Sequence, residues 1–169
     1  MMQHTTIETP AGPFTYLVSD AGAVRASGFT AELDDLLPLV HRELRDRTRP
    51  AASPGPVGDA VRSYLDGDLT AIDDVTVEQR TGGEFLGHAW QVMRDIKAGE
   101  PVTYTGFAEL AGRPAAVRAA ATACARNAAA LFVPCHRVLG TDGTLRGYRW
   151  GLAAKTWLLR HERGRSIAA

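Results

Sequence analysis

The sequence predicts a two-part fold: a small α/β domain over residues 1–80, then a mainly helical domain over residues 81–169 that contains a helix-turn-helix. Three observations carry this prediction. The apolar pattern changes near residue 81, from short runs punctuated by turn residues to stripes of helical spacing. Two helical segments meet at Ala111-Gly112-Arg113, a turn short enough for a helix-turn-helix, although a tight helical hairpin in an ordinary core has the same pattern. The formal net charge of zero hides a split. Residues 1–112 hold 9 Lys and Arg against 17 Asp and Glu, whereas residues 113–169 hold 10 Lys and Arg against two acids, Asp142 and Glu162. A basic part of this kind fits a polyanion such as nucleic acid; the alternative is two oppositely charged parts that attract each other.

Taken in order, segments 5–9, 14–19 and 23–29 read as strands, separated by the turn signals Ala11-Gly12-Pro13 and Asp20-Ala21-Gly22. Leu33, Leu36, Leu37, Val40 and Leu44 follow helical spacing, which predicts a helix over 32–46. Segment 47–56 is rich in Pro, Ala and Ser and reads as a linker. A helix over 57–65 ends at Gly67, and 72–78 reads as a strand. No catalytic grouping stands before residue 81. Beyond it, Phe85, Ala89, Val92, Met93 and Ile96 form an apolar stripe bounded by Gly99. Thr103 is placed to cap a short helix through Leu110, ended by Gly112. Pro114 suits the first turn of the next helix, which should run to about Asn127. On that helix Val117, Ala120 and Cys124 should pack inward, while Arg118, Thr122 and Arg126, spaced by four, project together. Its remaining residues are nearly all alanine, a good helix former that also lets a backbone approach a surface closely.

Composition excludes several classes. Hydrophobic content of 45% and charged content of 22% are those of a soluble globule. No apolar stretch approaches the length of a membrane span, so no membrane partner is expected. The first ten residues show no basic segment leading into an apolar run, hence no signal peptide is expected. Two cysteines are too few for a disulfide framework or a four-cysteine zinc site, which favours a reduced, cytoplasmic protein. The residue with most chemical potential is Cys135, within Pro134-Cys135-His136-Arg137. Sulfur attacks as thiolate, and His136 and Arg137 are the two kinds of neighbour that assist ionisation. Adjacent side chains on a strand point to opposite faces, so the pair cooperates only if the backbone turns there.

The motifs together resemble the O6-alkylguanine-DNA alkyltransferases, also called methylated-DNA–protein-cysteine methyltransferases. The resemblance runs through Gly99-Glu-Pro-Val-Thr-Tyr104, Ala111-Gly-Arg-Pro-Ala-Ala-Val-Arg118, Arg126-Asn127, Val133-Pro-Cys-His-Arg-Val138, Gly147-Tyr148, Gly151-Leu-Ala-Ala-Lys155 and Trp157-Leu-Leu-Arg-His-Glu162. Order and spacing fit from Tyr104 to Glu162 without a gap. The early strands, with Thr9-Pro-Ala-Gly-Pro-Phe14, are similar to the family's N-terminal domain, which implies a ribonuclease H-like fold there.

The resemblance implies double-stranded DNA containing O6-alkylguanine as partner, with O4-alkylthymine an alternative substrate, and a monomer that needs no metal or organic cofactor. Cys135 would be the alkyl acceptor, deprotonated by His136 through a bridging water. Glu162 would orient His136 and stabilise its charged form, and Asn127 would hold the turn that presents Cys135. A lesion within the duplex is out of reach, so the nucleotide is flipped into a pocket. Arg118 matches the arginine that replaces it in the stack, and Thr122 and Arg126 share its DNA-facing side. Tyr104 would contact the guanine, the carbonyls of Cys135 and Val138 would read its exocyclic amine, and Tyr148 to Gly151 would form a lid. Arg149-Trp150 stands where many members carry small residues, so the pocket should be narrower. Alanines at 121 and 128, and Thr122, also depart from the commonest pattern. A cysteine hydrolase explains Cys135 and His136 but not the basic half; a lesion-sensing module without chemistry would lack Cys135. A zinc site on Cys124, Cys135 and a histidine lacks metal-like spacing.

Overall fold

The computed structural model describes the backbone of residues 1–168 and the side chains of residues 1–164. The chain forms two compact units: Met1–Arg80 with Ala128–Phe132, and Thr81–Asn127 with Val133–Ala169. The first is built on an α/β pattern. Strands β1 (Met2–Thr9), β2 (Gly12–Val18) and β3 (Val24–Gly28) pair antiparallel in sequence. Gly12, at φ +107°, lets the chain reverse after Thr9, whose hydroxyl donates to the Gly12 carbonyl and accepts from the Ala11 N–H. The segment expected as a linker supplies a fourth strand, β4 (Thr48–Pro50), parallel to β1, and the sheet order is β3-β2-β1-β4. Proline is tolerated there because β4 is an edge.

Two other expectations fail in this unit. The 32–46 segment is three short 3-10 turns, Leu33–Asp35, Leu37–Leu39 and Arg42–Leu44, with Leu36, Val40 and Leu44 buried. Burial every four residues produced the helical pattern, but Pro38 lacks an N–H and disfavours helical geometry before it. The predicted strand over 72–78 does not form: residues 72–74 are a turn, Asp73 N–H donates to Thr70 and Val75 N–H to Ile72, and Val77 alone bridges to Val24. Helix α1 (Gly55–Leu65) forms as read. Ala128–Phe132 packs here through Ser27, which exchanges backbone hydrogen bonds with Ala128 and Ala130, and through Phe132 against Phe14 at a ring separation of 5.9 Å.

The second unit holds α2 (Glu84–Arg94), α3 (Tyr104–Leu110), α4 (Val117–Ala125), α5 (Leu152–Ala168) and a two-stranded parallel pair, β5 (Val102–Thr103) with β6 (Val138–Leu139). Thr103 caps α3, its hydroxyl accepting the Gly106 N–H at 3.0 Å. Helix α4 is shorter than expected at both ends, because Pro114 lies in the preceding turn and Arg126 is its C-cap. Trp90 Nε1 of α2 donates to the Ala123 carbonyl at 2.9 Å, fixing α4 from its buried side. That side is formed by Ala120 and Ala123; Val117 and Cys124, expected inward, are half-buried. Among the described residues, no helix is long and apolar enough to cross a membrane.

Candidate active site

The backbone does turn at the cysteine. The chain already turns at residues 130–132, with Leu131 at φ +77°; Pro134 follows at φ −83° and ψ 67°, and Cys135–Arg137 form one 3-10 turn before Val138 enters β6. One amide holds this turn. Asn127 Nδ2 donates to the Val133 carbonyl at 2.7 Å and to Cys135 Sγ at 3.3 Å, so it fixes the loop on both sides of Pro134. Burial pushes the Cys135 thiol up, although the residue is partly exposed; the Asn127 hydrogen bond and the Lys155 charge pull it down more weakly. At rest the sulfur is therefore protonated, and attack requires a base.

Behind the turn lies a buried charged cluster. His136 Nε2 lies 3.0 and 3.1 Å from the two Glu162 oxygens. Arg137 grips the same carboxylate, with Nε at 3.0 and 3.2 Å and a terminal nitrogen at 2.8 Å, while its other terminal nitrogen donates to the Ile96 carbonyl at 2.7 Å. His136 and Glu162 are fully buried and Arg137 is 3% exposed. Burial opposes the Glu162 charge, but His136 and Arg137 overcome it and hold the carboxyl well below the usual range. For His136 burial wins over Glu162, and its pKa lies below the ordinary value. The physical reason is charge balance: Arg137 already neutralises Glu162, so a proton on His136 would add an uncompensated charge in a dry interior. The ring is neutral, Nε2–H donates to Glu162, and Nδ1 is a buried acceptor with no partner among the described residues. Arg137, one of the two neighbours expected to assist the thiol, is directed at Glu162 instead.

Cys135 opens into a cavity of about 480 Å3 lined by Tyr104, Ala121, Cys124, Ala125, Asn127 and Gly147 to Trp150. That volume is in the range that encloses a small organic ligand. Tyr104, at the start of α3, is held protonated: burial raises its pKa, and Cys124 and Cys135 add to the effect. Arg149 reaches across to the end of α4, where a terminal nitrogen donates to the Ala125 carbonyl at 2.5 Å. Arg118 and Arg126 are exposed on α4, whereas the Thr122 hydroxyl between them donates to the Arg118 carbonyl at 3.0 Å. Val138 is buried; its carbonyl accepts from Lys155 Nζ at 2.9 Å, and the Cys135 carbonyl accepts the Val138 N–H. No group of three or more His, Cys, Asp or Glu among the described residues could hold a metal ion.

Comparison with known proteins decides the family. A family model described as the DNA-binding domain of 6-O-methylguanine DNA methyltransferase matches residues 84–164. A methylated-DNA–protein-cysteine methyltransferase of Salmonella typhimurium is 38% identical over 160 residues, covering 92% of each chain. This chain belongs to the methylated-DNA–protein-cysteine methyltransferase family. Its Mycobacterium tuberculosis relative of the same name is 34% identical over 171 residues, covering 99% of this chain and 96% of the relative. The crystal structure of Mycobacterium tuberculosis OGT in complex with DNA superposes with a TM-score of 0.80 at 30% identity, over 96% of this chain and 94% of that one.

In this family member the predicted residues Cys135, Asn127, Tyr104, Tyr148, Arg149 and Trp150 meet around one cavity, with His136 and Glu162 buried behind the cysteine. Sequence reasoning missed Lys155 and Cys124 as parts of the site, and gave Arg137 to the thiol where the structure gives it to Glu162. Lys155 is 1% exposed, donates to the carbonyls of Val138 and Arg146, and is lowered in pKa by burial. A signal for it existed: Lys155, Leu158 and Glu162 fall three and four apart on one face of α5, and a lysine on a buried helical face demands a partner.

Proposed function

We propose that this protein repairs alkylated DNA by moving the alkyl group from guanine O6 to its own Cys135. The observation that carries the reading is a protonated thiol, held by Asn127 at the floor of a ligand-sized cavity and backed by a neutral histidine. The Cys135 proton passes to His136 Nδ1 through a water, the thiolate attacks the alkyl carbon, and an S–C bond forms as the C–O6 bond breaks. The bond's electron pair goes to the guanine, which leaves with a proton; the Tyr104 hydroxyl, protonated at neutral pH, supports that departure as donor. Glu162 holds the His136 ring through Nε2–H. Because Arg137 shares the carboxylate, Glu162 is a partial counter-charge for the ring once His136 takes the proton. Lys155 favours the thiolate and braces the Val138 carbonyl, which with that of Cys135 reads the exocyclic amine.

On this reading α3 and α4 act as a helix-turn-helix, with α4 against the duplex. Arg118 fills the stack left by the flipped nucleotide, Arg126 contacts phosphate, and Thr122 packs between them. Tyr148, Arg149 and Trp150 line the lid. Residues 81–169 carry both DNA binding and chemistry. The first unit is ribonuclease H-like, supported by three antiparallel strands with a fourth parallel to the first at the edge. The protein acts as a monomer on double-stranded DNA, in the cytoplasm. A thioether is not hydrolysed under mild conditions, so each molecule acts once. Titrating the protein against excess duplex containing O6-methylguanine should remove one lesion per molecule and then stop. Continued turnover would favour a cysteine hydrolase.

A further inference from the structure

The side of the cavity formed by α4 contains no large side chain. Ala121, Cys124 and Ala125 line it, three and four residues apart on one strip of helix. The lid contributes Tyr148, Arg149 and Trp150. Beside this bulky lid, α4 is the side that leaves room for a group larger than methyl, and Cys124 is its largest cavity-facing residue. Cys124 and the acceptor Cys135 line the same cavity. In a displacement at carbon, the transferred group ends on Cys135 Sγ, so its far end must be seated against whatever surrounds that sulfur. Cys124 stays protonated at neutral pH and presents a small apolar surface there.

We propose that Cys124 sets the size of alkyl group this protein accepts, by forming the α4 wall against which the group on Cys135 is seated. The inference rests on Cys135 being the acceptor. Enlarging Cys124 should penalise long or aromatic groups more than methyl, and truncating it should do the reverse. One missing or extra methylene in an apolar pocket typically changes discrimination by about tenfold or more.

The test is the ratio of single-turnover rates on duplexes carrying O6-benzylguanine and O6-methylguanine, in native protein, Cys124→Met and Cys124→Ala. Rates are referred to the fraction of molecules that become methylated, so that loss of folded protein does not enter. The expected result is a benzyl-to-methyl ratio lowered about tenfold or more by Met and raised by Ala. Equal ratios in all three proteins, or shifts in the same direction, would overturn the role of Cys124 while leaving alkyl transfer intact. No transfer from either substrate to native protein would overturn the proposed function and this inference together.

Discussion

Replacing Glu162 with Gln separates the two things the buried carboxylate does. It accepts from His136 Nε2 at 3.0 and 3.1 Å and from Arg137 at 2.8 to 3.2 Å, with both acid and histidine fully buried. Glutamine keeps the shape but removes the charge, and its NH2 must face a donor. The Arg137 guanidinium would then remain buried without its counter-charge. Removing one partner of a buried pair costs about 3–5 kcal/mol, and that is the loss expected in a urea titration evaluated by linear extrapolation. Adding Arg137→Met removes the stranded charge, at the cost of about 1 kcal/mol for the hydrogen bond to Ile96, so most of the stability should return. Transfer measured in a single turnover should stay slow in both variants, because neither has a carboxylate to balance the charge His136 gains when it takes the thiol proton. A loss below about 1 kcal/mol in Glu162→Gln, or a double variant less stable than the single, would refute the charge assignment. Recovery of transfer in the double variant would show that Glu162 acts only through stability.

The pH dependence of stability follows from the same cluster. His136 and Glu162 both have folded pKa values below their ordinary ones, so the unfolded chain takes up protons first and stability falls on acidification. The fall should begin near pH ~6.5 from His136 and steepen below pH ~4.3 from Glu162, and His136→Gln should remove the first part, as read from denaturation midpoints. Transfer by neutral His136 should hold its rate down to pH ~6.5 and drop only at lower pH, whereas a drop between pH 8 and 7 would contradict a neutral resting ring. Arg118→Ala should slow repair of duplex DNA far more than reaction with free O6-benzylguanine, which needs no flipping; equal losses would place Arg118 in support of the fold. Arg149→Ser with Trp150→Gly should narrow a native preference for methyl over benzyl, a change of about 1–3 kcal/mol, and equal loss on both substrates would show the lid bracing α4 through Ala125 instead of crowding the pocket.

What the sequence made legible was local. The three antiparallel strands, the Thr103 cap and the helices around α2 and α3 rest on alternation, turn residues and helical stripes, which neighbours in the chain suffice to produce. The misreading at 32–46 has a tertiary cause. Leu36, Val40 and Leu44 are buried by the tertiary fold at a spacing that mimics a helix, and Pro38 was the warning. Strand β4 was hidden because its partner, β1, lies more than forty residues earlier. At the site, residue types pointed to Cys135 and His136, and the family resemblance added Glu162. The sharing of Glu162 by Arg137, the bracing by Lys155 and the turn of Cys124 toward the cavity depend on the packing of α4 against α2 and α3 and of α5 against the Cys135 turn, which spacing does not contain.

The central claim is that Cys135, and no other group, receives the alkyl group. Mass spectrometry of the protein after reaction with duplex DNA carrying O6-methylguanine tests it directly, first on the intact chain and then on its peptides. One added methyl group on the peptide containing Cys135 is the predicted result, with Cys124 unmodified and Cys135→Ala unreactive though still able to bind DNA. A methyl group on Cys124, or one still transferred in Cys135→Ala, would contradict the account.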